Sequence, residues 1–404
     1  MILKKSKKLT DVRYDIRGKI TTTALKMERE GTPVIKLNTG NPAAFGFVPP
    51  GYLGPILAED LQLTAAYSES KGIIPAREAI AAYEGSKGIP NINIDNILTG
   101  NGVSELISMT MQSLLNNGDE ILIPTPDYPL WTAAARLAGG TVVHYICNES
   151  DGWLPDMDDM RSKITKKTRA IVVISPNNPT GAVYPKAILE SIVELAREHD
   201  LLILSDEIYD RMLMDGHEHV AIASLAPDLP VVTMNGLSKS HQLCGFRAGW
   251  MVISGNTAGC EDFLDGINVM ASMRLCSNVL AQVIIPSALA DPDFARGELL
   301  PGGRLYLQRE HAYEGLSNIP GISVVKAKAA LYMFPKIDTD MFGITDDEQF
   351  VLDFLREKHV LLTHGRAYQW MKPDHFRLVY LPDIDEMAEV INRLADFLST
   401  YKQN

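Results

Sequence analysis

The chain has 404 residues, beyond the size at which one hydrophobic core stops growing, so two domains are expected. Its 46% hydrophobic and 22% charged residues are those of a globular protein and exclude a disordered one. With 50 acidic against 38 basic residues the net charge is −12, which argues against a nucleic-acid or anionic-membrane surface and leaves small anions in a local cleft open.

The opening MILKKSKKLT is basic, but no apolar run follows it, so it does not read as a secretory signal. No apolar stretch approaches the ~20 residues of a membrane helix, and a cytoplasmic protein is expected. The first 45 residues are polar and interrupted by Gly and Pro. Helical periodicity covers 103–116 and 186–199, with Leu106, Met109 and Leu114 on one stripe and Ile188, Ile192 and Leu195 on another. Between and beyond them, β-branched runs at 120–124, 141–146, 169–175, 201–205, 231–235 and 250–254 read as strands. Several lack polar alternation, as strands covered on both faces do. This alternation predicts an α/β domain with a largely parallel sheet. Further on, 318–337 reads as two strands around a turn, 348–358 as a helix, 360–365 and 375–380 as strands, and 384–400 as a closing helix. The expected division is an N-terminal arm and small-domain segment over 1–45, a large domain over 46–285 and a smaller α+β domain over 286–404. Cys147, Cys244, Cys260 and Cys276 show no C-x-x-C pair or zinc-like spacing, so they are expected to be reduced, buried and structural, and no metal is expected.

Open α/β sheets bind ligands at the carboxyl ends of their strands. Here those ends lead into Asp127-Tyr128, Ser175-Pro176-Asn177-Asn178-Pro179-Thr180-Gly181, Asp206-Glu207-Ile208-Tyr209 and Gly236-Leu237-Ser238-Lys239. One sheet edge thus offers an amide, a carboxylate, a phenol, a hydroxyl and an amine. Pyridoxal phosphate (PLP) chemistry needs such a set: an amine for the aldehyde, a carboxylate for the pyridinium and donors for the phosphate.

In order and spacing, SPNNPTG, SDEIY, NGLSK and GFRAGW resemble the motifs of class I aminotransferases, the aspartate-aminotransferase-like branch of fold type I PLP enzymes. The resemblance runs from Gly40-Asn41-Pro42 to Phe376-Arg377. It implies a mostly parallel seven-stranded sheet between helices, a PLP cofactor and a homodimer with shared active sites. By the same resemblance Lys239 carries the cofactor and moves the proton, and Arg247 and Ser238 bind its phosphate with a cradle of Gly102, Val103 and Ser104 at a helix start. Asp206 pairs with the ring nitrogen, Tyr209 and Asn178 meet the ring oxygen, and Tyr128 stacks on the ring, with Trp131 as its rival. Glu207 is expected to face away. Arg377 takes the substrate α-carboxylate beside Asn178 and the Gly40 amide, and Tyr67 reaches the partner's cofactor phosphate.

The segments Tyr14-Asp15-Ile16-Arg17-Gly18, 37–47 and 126–134 are most similar to bacterial alanine (glutamate–pyruvate) aminotransferases. That implies a ping-pong exchange between L-alanine and 2-oxoglutarate, with Arg17 on a mobile arm beside Tyr14 reading the distal carboxylate. Other amino-acid specificities and a PLP-dependent C–S lyase of the same fold share these motifs and stay open at this point. A non-enzymatic regulator is disfavoured by the acidic chain and by the lack of a helix-turn-helix segment before residue 40.

Overall fold

The computed structural model describes residues 3–10, 12 and 14–403, Arg17 by its backbone alone. In chain order the first half runs α1 (Lys19–Arg29), β1 (Ile35–Lys36), α2 (Ile74–Ser86), β2 (Ile97–Asn101), α3 (Val103–Leu114), β3 (Glu120–Thr125), α4 (Leu130–Leu137), β4 (Thr141–Asn148), β5 (Leu154–Pro155) and β6 (Thr168–Ile174). It continues with α5 (Lys186–His199), β7 (Leu202–Asp206), β8 (Val231–Gly236), β9 (Ala248–Ser254), α6 (Glu261–Met273), α7 (Arg304–Ser317), β10 (Ile322–Ser323), β11 (Tyr332–Met333) and β12 (Lys336–Ile337). The chain closes with α8 (Asp347–Lys358), β13 (Val360–Leu361), β14 (Thr363–His364), β15 (Phe376–Val379) and α9 (Ile384–Thr400).

Eight strands form the main sheet in the order β2-β9-β8-β7-β6-β3-β4-β5. Strands β3, β4, β6, β7 and β8 run parallel, and β9 is antiparallel to both its neighbours. Seven strands of five or more residues match the expected number, and the two-residue β5 adds an eighth at the edge. Side chains alternate across the pleat, so each buried run feeds two cores. Ile171, Val173, Ile203 and Val231 pack with Ile192 and Leu195 of α5. Ala170, Val172, Leu204 and Val232 pack on the opposite face with Leu106 and Met109 of α3 and Ile267 of α6. Helices on both faces explain why these strands carry no polar alternation.

A further core joins Leu305, Ala312, Phe350, Phe354, Phe376 and Leu394 to Ile20, Ala24 and Leu37 from the N-terminal segment. Residues 318–337 hold three two-residue strands rather than two longer ones, and 360–365 is broken at Leu362, so that β13 pairs with β1 and β14 with β15. The short strands change partner every two residues, which leaves too short a run for the alternation that marks a strand. Among the cysteines only Cys147 is buried; Cys244, Cys260 and Cys276 are partly exposed, and all four are free. Among the described residues no helix is long and apolar enough to cross a membrane, and no cluster could hold a metal ion.

The register brings the chemistry to one edge. Asn101 of β2 pairs with Ala248, and Gly249 pairs with both Gly100 and Gly236. The end of β2, the start of β9 and the ends of β6, β7 and β8 therefore lie side by side.

Candidate active site

A cavity of about 660 Å³ opens at this edge. Its wall includes Tyr14, Gly40, Val103, Ser104, Tyr128, Asn178, Asp206, Tyr209, Ser238, Lys239, Arg247 and Arg377, all of them singled out in the sequence. Gly102 lies just behind the wall as the N-cap of α3. Tyr67 is not brought in: it is 80% exposed on the surface. The Arg17 side chain lies outside the described residues.

One end of the cavity is built for an anion. Gly102 has φ +77°, and a Cβ there would sit 2.2 Å from Arg247 Nη2, so only glycine lets the guanidinium in. Arg247 Nη2 donates to Ser104 Oγ at 2.8 Å. The first amides of α3 point to the same place, where the helix dipole favours negative charge. Gly249 brings the sheet within touching distance, since a Cβ there would lie 2.6 Å from the Val103 nitrogen.

At the end of β7 the chain presents two acids in turn. Asp206, 3% exposed, accepts hydrogen bonds from Trp131 Nε1 at 3.0 Å and from the Ile208 amide at 3.3 Å. No cation among the described residues joins it. Burial pushes it up to about 6 against the pull of those two donors. Glu207 turns away from the cavity, as expected. It meets Lys87 Nζ at 3.0 Å, His219 Nε2 at 2.8 Å and the Ser205 hydroxyl at 3.0 Å. Lys87 also reaches Asp210 at 3.2 Å and Glu84 at 2.5 Å, and Asp210 accepts from Asn235 Nδ2 at 2.7 Å, just before the turn that carries Lys239.

Lys239 ends in the cavity, where Nζ donates to the Gly40 carbonyl at 2.6 Å and lies 3.5 Å from Cys244 Sγ. Burial pulls its ammonium down, but Tyr332 and Cys244 outweigh it and leave the amine above its ordinary value. Arg377 is 2% exposed; Nη1 donates to Asn178 Oδ1 at 3.0 Å, Nη2 donates to the Asn38 carbonyl, and Nε has no partner. Tyr14 and Tyr128 share a hydrogen bond at 2.9 Å, placing the arm against the cavity wall. Burial holds both the Tyr128 and Tyr209 phenols well above the usual range.

Tyr128 and Trp131 occupy different positions relative to the cavity. Tyr128 lines the cavity, whereas Trp131 is fully buried behind Asp206 and aims its indole N–H at that carboxylate. Tyr332 and Cys244 also line the cavity and were not among the expected site residues. Tyr332 arrives on β11, and no motif surrounds it. Cys244 was read as a structural thiol, although its place five residues after Lys239 was a usable signal.

The sequence model of the family "Aminotransferase class I and II" matches residues 32–394. The chain belongs to that family. This aminotransferase is 51% identical to the glutamate-pyruvate aminotransferase AlaA of Haemophilus influenzae over 99% of both chains. It is 50% identical to the alanine aminotransferase of Mycobacterium bovis, over 98% of this chain and 93% of that one. Among solved structures it is similar to an aminotransferase from Escherichia coli, with a TM-score of 0.99, 50% identity and 100% of both chains covered.

Proposed function

We propose that this aminotransferase exchanges an amino group between L-alanine and 2-oxoglutarate, yielding pyruvate and L-glutamate, with PLP as its cofactor. One observation carries the specificity: full-length identity of about half to relatives whose names specify glutamate–pyruvate or alanine aminotransferase. The cavity supports the cofactor. A buried carboxylate with no cation, Asp206, suits a protonated ring nitrogen, since an unpaired charge in a desolvated site is costly. The Gly102–Val103–Ser104 cradle with Arg247 and Ser238 suits a phosphate dianion, whose planar recognition favours arginine. Tyr128 provides a ring face, and Tyr209 and Asn178 donors for the ring oxygen.

When bound, PLP supplies an aldehyde that condenses with amines and a ring that accepts the electron pair left when the substrate Cα loses its proton. Lys239 anchors the cofactor and then carries that proton on Nζ. Asp206 keeps the ring nitrogen protonated. Arg377 orients the α-carboxylate, and its unpartnered Nε is the donor such a group would satisfy. The Gly40 backbone lies beside it. Tyr14 closes the arm side of the cavity, and Arg17, three residues on, is the reader of glutamate's distal carboxylate.

We further read the protein as a cytoplasmic homodimer. Tyr67, exposed beside exposed Leu61 and Leu63, would reach the partner's phosphate site, and four free thiols fit a reducing compartment. The arm and small-domain segment spans 1–45, the large domain 46–285 and the small domain 286–404.

The test is a half-reaction. Protein loaded with PLP and mixed with L-alanine should release one pyruvate per site and stop until 2-oxoglutarate is added. Pyruvate and ammonia formed continuously from a β-substituted amino acid, without acceptor, would instead mark a lyase. Lys239→Ala should lose turnover and the visible absorbance of the loaded protein; turnover at the parental rate would overturn the assignment.

A further inference from the structure

Tyr332 sits where three parts of the cavity meet. It is the first residue of β11, and its partner across the strand pair is Val379, two residues from Arg377 and on the same face. The Tyr209 hydroxyl donates to the Tyr332 hydroxyl at 2.9 Å, with the two rings edge to face. The Arg377 guanidinium lies over the Tyr332 ring, 4.3 Å from its centre. On its third side the hydroxyl presses on Gly40, where a Cβ would come within 2.2 Å.

We propose that Tyr332 is a positioning residue with two separable duties: its ring fixes the Arg377 guanidinium for the substrate carboxylate, and its hydroxyl aims the Tyr209 phenol. The proposal deepens the aminotransferase reading and rests on it. Arg377 makes two hydrogen bonds in this structure, and its Nε is free. Those two bonds leave the Nε side of the guanidinium to be held by packing, which the Tyr332 ring at 4.3 Å and the Tyr368 ring at 4.8 Å supply together with cation–π attraction, Tyr332 being the nearer. The hydroxyl pair acts differently. Each phenol carries one proton and two acceptor positions. When Tyr209 turns its proton toward a ligand oxygen, Tyr332 can turn its own toward Tyr209, so the bond between the rings persists with its direction reversed. That keeps Tyr209 in place and strengthens it as a donor. The absence of a Cβ at Gly40 is what lets the hydroxyl stand this close to the segment that also holds Lys239 Nζ.

Two substitutions in the PLP-loaded protein separate the duties. Tyr332→Phe keeps the ring and removes the hydroxyl. It should move the midpoint of the pH titration of the visible band by half a unit or more, while KM for L-alanine changes less than about threefold. Tyr332→Leu removes the ring. It should weaken binding of the unreactive monocarboxylate propionate, measured by calorimetry, by about fivefold to tenfold, and raise KM for L-alanine and L-glutamate alike with kcat less affected. A Phe variant with the parental titration, or a folded Leu variant with parental propionate affinity, would overturn the proposal. If the Leu variant does not fold, the Phe titration alone decides. The parent protein serves as the control for the underlying reading: failure of its alanine half-reaction would count against the aminotransferase assignment and not against Tyr332.

Discussion

Asp206 and Glu207 are neighbours of the same chemical kind and nearly equal burial, 3% and 1% exposed, yet their surroundings are opposite. Asp206 faces the cavity, meets two neutral donors, and is pushed up to about 6 by burial. Glu207 faces the back of the sheet; burial opposes its charge, but Lys87 and His219 outweigh it and hold it down to about 2. Asp206 is the last residue of β7 and Glu207 the first beyond it, and the alternation of successive side chains at the strand end sends them to opposite sides. A buried carboxylate neutralised within the chain belongs to the fold. One left without a cation belongs to a ligand.

The sharpest way to break this contrast is Asp206→Ala. Turnover at saturating PLP should fall by about 10²-fold or more, with the fold retained, because the charge facing the ring is gone. Normal turnover would show that another group holds the ring nitrogen. Lys87→Met attacks the other side. It strands Glu84, Glu207 and Asp210 without their shared cation and should cost about 3–5 kcal/mol in urea unfolding, with turnover per folded molecule close to parental. A stable Lys87→Met protein with poor turnover would reverse the two roles.

The pH dependence sharpens the same point, measured on cofactor-free protein. The Asp206 carboxyl moves from 3.8 to about 6 on folding, so the folded state binds its proton more tightly. The penalty is absent below about pH 4 and complete above about pH 6. Asp206→Asn lacks it, so the variant's advantage in unfolding free energy over the parent, measured in urea, should grow between pH 4 and 7, reaching on the order of 3 kcal/mol. Glu207 has the opposite sign: its contribution is complete above pH 4.5 and is lost as pH falls toward 2. The smallest effect belongs to Trp131→Phe. Without the indole donor, Asp206 should become harder to ionise, and the acid limb of kcat/KM should rise by about half to one pH unit. An unmoved limb would show that Trp131 only fills space.

The parts of the site that are contiguous in the chain were readable from the sequence. SDEIY, NGLSK and GFRAGW each pair a strand end with its loop, so order along the chain implied nearness at one sheet edge. Tyr332 was not readable, because its place depends on β11 pairing with β15 across 47 residues of register, Tyr332 with Val379. Trp131 was read as a ring-stacking rival because distance along the chain says nothing about direction. One helical turn from Tyr128 points it behind Asp206 instead of over the cavity. In the C-terminal region, strands of two residues leave too short a pattern for any periodicity to show.

Three of the four tryptophans donate their indole N–H to a carboxylate: Trp131 to Asp206, Trp250 to Glu84 and Trp370 to Asp374. Indole emission shifts in colour with the charge beside it, so each pair acts as an optical gauge of its own acid. The three gauges are set apart. Burial raises Asp206 to about 6 and also raises Glu84, whereas Asp374 is lowered: burial opposes its charge, but His375 and Trp370 outweigh it. A change of emission near pH 6 that Trp131→Phe abolishes would therefore read out the charge of one catalytic-edge carboxylate in the unlabelled protein, with no substrate present.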